Sequence, residues 1–522
     1  MHAELAYLFR HALLRDAAYT LQMPGDRERL HASALAILET LSGGESPALS
    51  AADCCAEMAE HARLAGNLHA EQRHRQLAAT MAAIRWRNQE ETEHLLRLIE
   101  ISEGPAAAHY HVRLCDKLRL MGRFDHAMQQ ARLAIDGLPP GDKQRSKAAA
   151  LLGRMCGHTG NAEAGLPWLK QALADAEASG DVEQVAYAWN ETGLLFSRLG
   201  RPADSEAAYA RSRELSEAAG LLGALGDATS NLAAALYVKG DLTTAEALNR
   251  QALEIHRRTG HRVSEGVVLG NLASVLRMSG RAEEAERLFG QAIEIHRQVG
   301  DRFHEGLNSS NLGNLHRVAG NFEVARGLYL RARDIMREIG AVGMEGYALF
   351  QLAVVARELE SPEAAEPFYE EAIGRLKRAG ETRPLGMALA GLGSVRLDQD
   401  RVDEAIELFN QGIELSRKVG DAPSLSNSLH NLAGAQQRAG LHSAALATID
   451  EALLLMQRIG DPVQVTMQRG TRAAILLLSG QSEPAASEWR GIEESLDQLS
   501  PNIRQGVVQS WRKACAETGF RP

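Results

Sequence analysis

Glycine recurs on a fixed grid in this chain of 522 residues. Of the seventeen positions at multiples of twenty from 160 to 480, fifteen are glycine, and only Glu360 and Asp400 break the series. A register kept over that span means one structural unit repeated without insertion, and periods of this size mark solenoid arrays. The two halves differ, so the unit is forty residues: HRVSEGVVLGNLASVLRMSG is followed by RAEEAERLFGQAIEIHRQVG.

Each half has apolar residues at three- and four-residue spacing, the periodicity of a helix. In the first half these are Val268, Leu272, Val275 and Leu276; in the second, Ala285, Leu288, Phe289, Ala292 and Ile293. Glycine at the end of each half is a helix stop, because the residue after a helix often takes the left-handed conformation. The residue after it often suits an N-cap, as with Asp241, Asp301, Asn321, Ser361 and Asp421. Each unit therefore reads as helix, tight turn, helix, tight turn, and the fold class is an all-α solenoid of stacked antiparallel helix hairpins.

Small residues show how the helices approach one another. Ala245, Ala285, Ala325, Ala365, Ala405, Ala445 and Ala485 share one register; Ala252, Ala292, Ala332, Ala372 and Ala452 share another, seven residues on. Between them stands a larger residue: Phe289, Tyr329, Tyr369, Phe409 or Trp489. In the first helix Leu232, Leu272, Leu312, Leu352, Leu392 and Leu432 are each followed by Ala or Gly. A large knob between small gaps lets neighbouring helices interlock. This pattern resembles the tetratricopeptide repeat, over about residues 67–499. Two departures stand out: the forty-residue unit is longer than the usual period, and the family's proline late in the second helix is missing. Phrases such as IHRQVGDRFHEGLNSSNLGN look like the long-helix subgroup found in polarity scaffolds and bacterial signalling proteins. The resemblance implies a right-handed superhelix, here of about eleven hairpins over 67–499, with a C-terminal capping helix in 500–522.

Residues 1–66 fall outside the register and read as an N-terminal helical linker or cap. Phe9-Arg10-His11-Ala12-Leu13 through Ala17-Ala18-Tyr19, then Arg29-Leu30-His31, resembles the segment that follows the nucleotide-binding module of large bacterial signalling ATPases. The phosphate-binding loop GxxxxGK[ST] does not occur in these 522 residues. The triplet Gly220, Gly223, Gly226 lies between helices with no preceding strand, so it is no dinucleotide fingerprint.

The net charge of −10, with both signs interleaved and no basic block, argues against a nucleic-acid partner. The five cysteines, Cys54, Cys55, Cys115, Cys156 and Cys515, show no CxxC and read as small apolar residues of a reducing compartment. No apolar run is long enough to span a bilayer, and the N-terminus is no signal peptide, so a cytoplasmic location without membrane association is expected. No HExxH, GxSxG or zinc-pair spacing occurs. His256 and His296, forty residues apart, read as a repeated surface or groove residue. The chain is therefore expected to be no enzyme, and to hold no cofactor or metal.

Two polar rows remain. Asn231, Asn271, Asn311 and Asn431 share a register just before the core leucine, and Gln351 continues the row. Asparagine is a mediocre residue inside a helix, so four uses at one register need a reason. Six residues later stand Arg277, Arg317 and Arg357, with Tyr237 one unit earlier. In the tetratricopeptide family the first helices line the concave surface. The resemblance implies that the asparagines grip an extended peptide, and that the arginines favour carboxylate or phosphorylated ligands. The competing reading has each asparagine bonded to the adjacent repeat and each arginine paired with a neighbouring glutamate. The expected function is a non-catalytic protein-interaction scaffold binding a partner peptide or helix along the groove. The alternative is the sensory arm of a multidomain signalling ATPase, kinase or cyclase.

Overall fold

A computed structural model of the chain describes residues 22–43, 51–159, 161–499 and 501–520. Among the described residues all regular structure is helical. The segment 9–19 that carries most of the linker resemblance lies outside them. Contacts group the chain into two compact units, Met1–Glu305 and Gly306–Pro522.

Helices alternate as the forty-residue period requires. In the first unit Leu222–Lys239 pairs with Leu242–Thr259, and Arg262–Met278 with Ala282–Val299. In the second, Val342–Leu359 pairs with Pro362–Ala379, and Thr382–Asp398 with Val402–Val419. The grid glycines close these helices in the left-handed region, as Gly380 does at φ +69° with open space where a side chain would stand. The requirement there is conformational rather than steric. Asp400 takes the same turn at φ 62°, whereas Glu360, at φ −120° and ψ −81°, makes a different one. At the helix starts Asp241, Asp301, Ser361 and Asp421 accept a backbone N–H as N-caps do, from Thr244, His304, Ala364 and Ser424. Asn321 makes no side-chain cap bond.

A second glycine column exists for space. A Cβ on Gly266 would come within 2.8 Å of the His296 ring, and one on Gly346 within 2.8 Å of Leu376. The residues that fill this gap are His256, His296, Met336, Leu376, Ser416 and Met456, all buried. The aromatic knobs work alike: a Cβ on Gly193, Gly313 or Gly393 would lie 2.6, 2.6 or 2.8 Å from Tyr209, Tyr329 or Phe409. Gly193, Gly313 and Gly393, the last two directly after core leucines, are thus the sockets for the aromatics of their own hairpins. Ala245, Ala285, Ala325, Ala365, Ala405, Ala445 and Ala485 have no exposed surface, which lets backbones approach closely.

The array ends in a cap. Ser482–Arg490 is a short second helix, and the final helix Pro501–Thr518 packs on Pro462–Leu478 with Trp489 and Trp511 stacked at 4.8 Å. This covers an apolar end that a further repeat would otherwise cover. Cys54, Cys55, Cys115 and Cys156 are buried, and Cys515 is half-buried.

The first unit also closes on itself. Asn88, buried on the helix Asn88–Glu100, donates from Nδ2 to the Val299 carbonyl at 3.0 Å, across 211 residues of sequence. Nearby, Phe124 stacks on His158 at 5.1 Å, and Phe303 meets both edge-on at 6.0 and 5.0 Å.

Candidate recognition surface

The polar rows sit on the first helices, half-buried except for the buried Gln351. Several members reach the first helix of a neighbouring repeat. Asn231 donates from Nδ2 to Asn190 Oδ1 at 2.9 Å, and Asn271 to Ser230 Oγ at 3.1 Å. Gln351 donates to Asn314 and, at 3.2 Å, to the Tyr347 hydroxyl. In the arginine row Arg277 lies 3.5 Å from the Tyr237 hydroxyl, and Arg357 pairs with Asp398 at 2.8 Å. One register on, Arg198 and Arg438 donate to the carbonyls of Gly157 and Leu397 near the ends of adjacent first helices. Nε of Arg317 is buried without a hydrogen-bond partner. Asn311 and Asn431 complete the amide row in the second unit as half-buried side chains. The rows therefore combine side chains engaged between repeats, Asn231, Asn271 and Arg277 in the first unit and Gln351 and Arg357 in the second, with the half-buried Asn311, Arg317 and Asn431 of the second.

Beside Asn431, His430 holds a half-buried position whose Nδ1 has no hydrogen-bond partner. Burial pulls its pKa down to about 4. Above the ordinary histidine value both folded and unfolded states are neutral there. Between that value and about 4 only the unfolded state takes the proton, so stability falls as pH drops through this window and then levels off. Substituting His430 with alanine, the residue at the equivalent Ala390, should remove about 1–2 kcal/mol of the stability loss between pH 7 and pH 5. Urea titrations at the two pH values check it; equal losses in both proteins would exclude His430 as the source.

The inner helices of the first unit carry a polar cluster that the sequence did not single out. Arg119 bonds Asp116 at 2.9 Å, and Arg154 bonds Glu191 at 3.1 Å. Burial opposes ionisation of Asp116, but Arg119 and Lys147 outweigh it and hold the carboxyl far below its usual range. At Glu191, 1% exposed, burial wins over Arg154 and raises the pKa. Burial, Arg198 and Arg154 together hold His158 neutral.

Adjoining this cluster, His296, Asp301 and His304 bring three metal-ligating atoms within 4.8 Å of one another. His304 Nδ1 lies 2.8 Å from Asp301 Oδ2, and His296 Nδ1 lies 3.5 Å from the same oxygen. Despite its burial Asp301 stays ionised, held down by His304 and His296. Burial lowers His304 against the attraction of Asp301. The surface or groove placement expected for His256 and His296 is overturned: both are fully buried. The forty-residue period places them on a second-helix face that plugs the glycine gap of its own hairpin. The spacing H-x4-D-x2-H across a glycine turn is the signal that could have been read.

The tetratricopeptide repeat family profile matches residues 225–298, 306–378 and 385–458, the last two of which hold the Gly313–Tyr329 and Gly393–Phe409 sockets. The chain carries tetratricopeptide repeats. No curated protein sequence matches it. Among solved structures, this repeat protein is similar to three examples. The first is a Rap protein complexed with competence and sporulation factor, 13% identical, covering 68% of this chain and 99% of that one at a TM-score of 0.49. The second is a signal transduction ATPase with numerous domains from Pyrococcus horikoshii that has a tetratricopeptide repeat sensor, 16% identical, covering 78% and 66% at 0.43. The third is BtubC from P. vanneervenii, 21% identical, covering 42% and 92% at 0.38. Among the described residues, no helix of the repeat protein is long and apolar enough to cross a membrane.

Proposed function

We propose that the repeat protein is a non-catalytic interaction scaffold that binds a partner peptide or helix through its first helices. The observation that supports this is the second-unit row of Asn311, Arg317, Arg357 and Asn431, repeated at the period of the array and half-buried. Amides offer a donor and an acceptor to peptide backbone, and guanidinium groups take carboxylates or phosphates bidentately. A repeat array presents such groups along an extended surface rather than in a closed pocket, which suits a polypeptide ligand. Asn231 and Asn271 serve the other purpose in this reading, ordering the stack through Asn190 and Ser230.

The test is capture of partners from source-cell lysate by the intact chain and by two variants. Alanine at Asn311, Arg317, Arg357 and Asn431 is expected to weaken capture about a hundredfold with helicity retained, since lost bonds to charged groups are worth about 1.5–3 kcal/mol each. Alanine at Asn231 and Asn271 is expected to lower stability by about 0.5–1.5 kcal/mol per site and to leave capture intact. Equal capture by a folded quadruple variant would remove the surface assignment.

A second reading makes the array the sensory arm of a larger signalling ATPase, kinase or cyclase. It draws on the helix Pro24–Gly43, where Leu30, Ile37 and Leu41 expose an apolar stripe at helical spacing. Reading the coding DNA upstream of Met1 tests it: an open frame encoding a phosphate-binding loop supports it, and a stop codon rejects it.

A further inference from the structure

We propose that His296, Asp301 and His304 bind a divalent transition-metal ion of the zinc class. Two imidazoles and one carboxylate are the donor set that such ions take, with remaining positions left to water or a ligand. Ligand atoms around a tetrahedral ion stand about 3.3 Å apart. The separations of the two imidazole nitrogens from Asp301 Oδ2, 2.8 and 3.5 Å, already bracket that value. The His296 and His304 rings lie stacked with centroids 5.2 Å apart, so a small turn of either ring brings the third pair into range.

A purely structural role leaves His296 unexplained. Neither of its ring nitrogens makes a hydrogen bond, although the side chain has no exposed surface. An orphaned buried polar group of this kind is costly, and the array does not need one here. Its register is filled by Met336, Leu376, Ser416 and Met456 in later repeats, and by His256, buried and unbonded in the same way, one unit earlier. The positions of Asp301 and His304 are filled by Ala341 and Met344 one unit on, so the three donors coincide in a single repeat. The neighbouring cations Arg119 and Arg154 are each hydrogen-bonded to a carboxyl group, Asp116 and Glu191. His304, with its side chain 18% exposed, gives the route in from solvent. An ion held here pins the turn that carries Phe303 against Phe124 and His158, and Val299 against Asn88. Metal binding would thereby stabilise the closed first unit.

The experiment uses the full chain stripped with chelator and titrated with zinc chloride, read by calorimetry, by metal content after dialysis and by thermal melting. The comparison variant is H296M/D301A/H304M, which installs the residues of the next repeat and should keep the helices packed. Expected are one zinc per wild-type chain with a raised melting temperature, and binding at least ~10-fold weaker in the variant. If the triple variant melts early without metal, His304→Met alone, at the partly exposed ligand, carries the same comparison. Absence of stoichiometric zinc on the wild type overturns the proposal. So does undiminished binding by the folded variant, which would move the ion elsewhere, for example to the His31–His61 pair, whose Nδ1 atoms stand 2.8 Å apart.

Discussion

Truncating Phe409 to alanine is expected to destabilise the second unit by about 3–5 kcal/mol, the range for removing a fully buried aromatic. Phe409 has no exposed surface, and its ring edge lies against the backbone of Gly393, where not even a methyl group would fit. The same core cluster contains Ile413, Leu425, Leu429 and Leu432, so the void opens between two successive hairpins and cannot close without moving both. In a repeat array stability is close to a sum over units and nearest-neighbour interfaces. Hydrogen exchange should therefore accelerate first in Thr382–Asp398, Val402–Val419 and Ala422–Arg438, and remain slow in the first unit. Uniform acceleration throughout the chain would mean that the array unfolds as one cooperative body, against the nearest-neighbour picture. Filling the socket instead, with Gly393→Val, should also destabilise, by about 1–3 kcal/mol through overpacking.

Replacing Arg154 with alanine is expected to cost the first unit about 3 kcal/mol at pH 8, the low end of the range for leaving a buried charge without its partner. Glu191, which Arg154 contacts, is almost completely buried. Its pKa already lies above the ordinary value because burial outweighs Arg154, and without that guanidinium it rises further. The sign follows from proton uptake. Between the ordinary glutamate value and the raised folded value, the folded state binds more protons than the unfolded one. Stability is then fully present below the ordinary value and is lost as pH rises through the folded value. The difference between wild type and Arg154→Ala should accordingly be largest at pH 8 and shrink toward pH 5, as measured by denaturant titration at both. A difference independent of pH would show that the lost side chain acts through volume rather than through the charge of Glu191. Arg154→Ala combined with Glu191→Gln should recover part of the loss, because the amide removes the orphaned charge.

The helical class, the forty-residue unit and the sockets were legible because they are local. A glycine at the end of a helix, a small residue beside a leucine and an aromatic four residues after an alanine all act within one hairpin, and chemistry at short separation leaves a periodic trace. Of the two substitutions of the grid, Asp400 keeps the left-handed turn in place of glycine, whereas Glu360 does not. The recognition rows were legible as rows, but their roles were not. Asn231 and Asn311 share a register, yet only the pairing of Asn231 with Asn190 assigns it to the stack, and that depends on what the neighbouring repeat supplies at its own equivalent position. His296 reads as a copy of His256; its meeting with Asp301 and His304 arises only when the glycine turn folds the chain back between the two helices.

By itself the sequence determined the repeat, its length, the helix pairs and their interlocking faces, because each rests on contacts between residues close in the chain. Tertiary structure alone decided where the array closes on itself. The meeting of Asn88 with Val299 and of Phe124 and His158 with Phe303 depends on small rotations accumulated over the intervening repeats. No single repeat encodes that sum, so this closure appears only in the folded molecule.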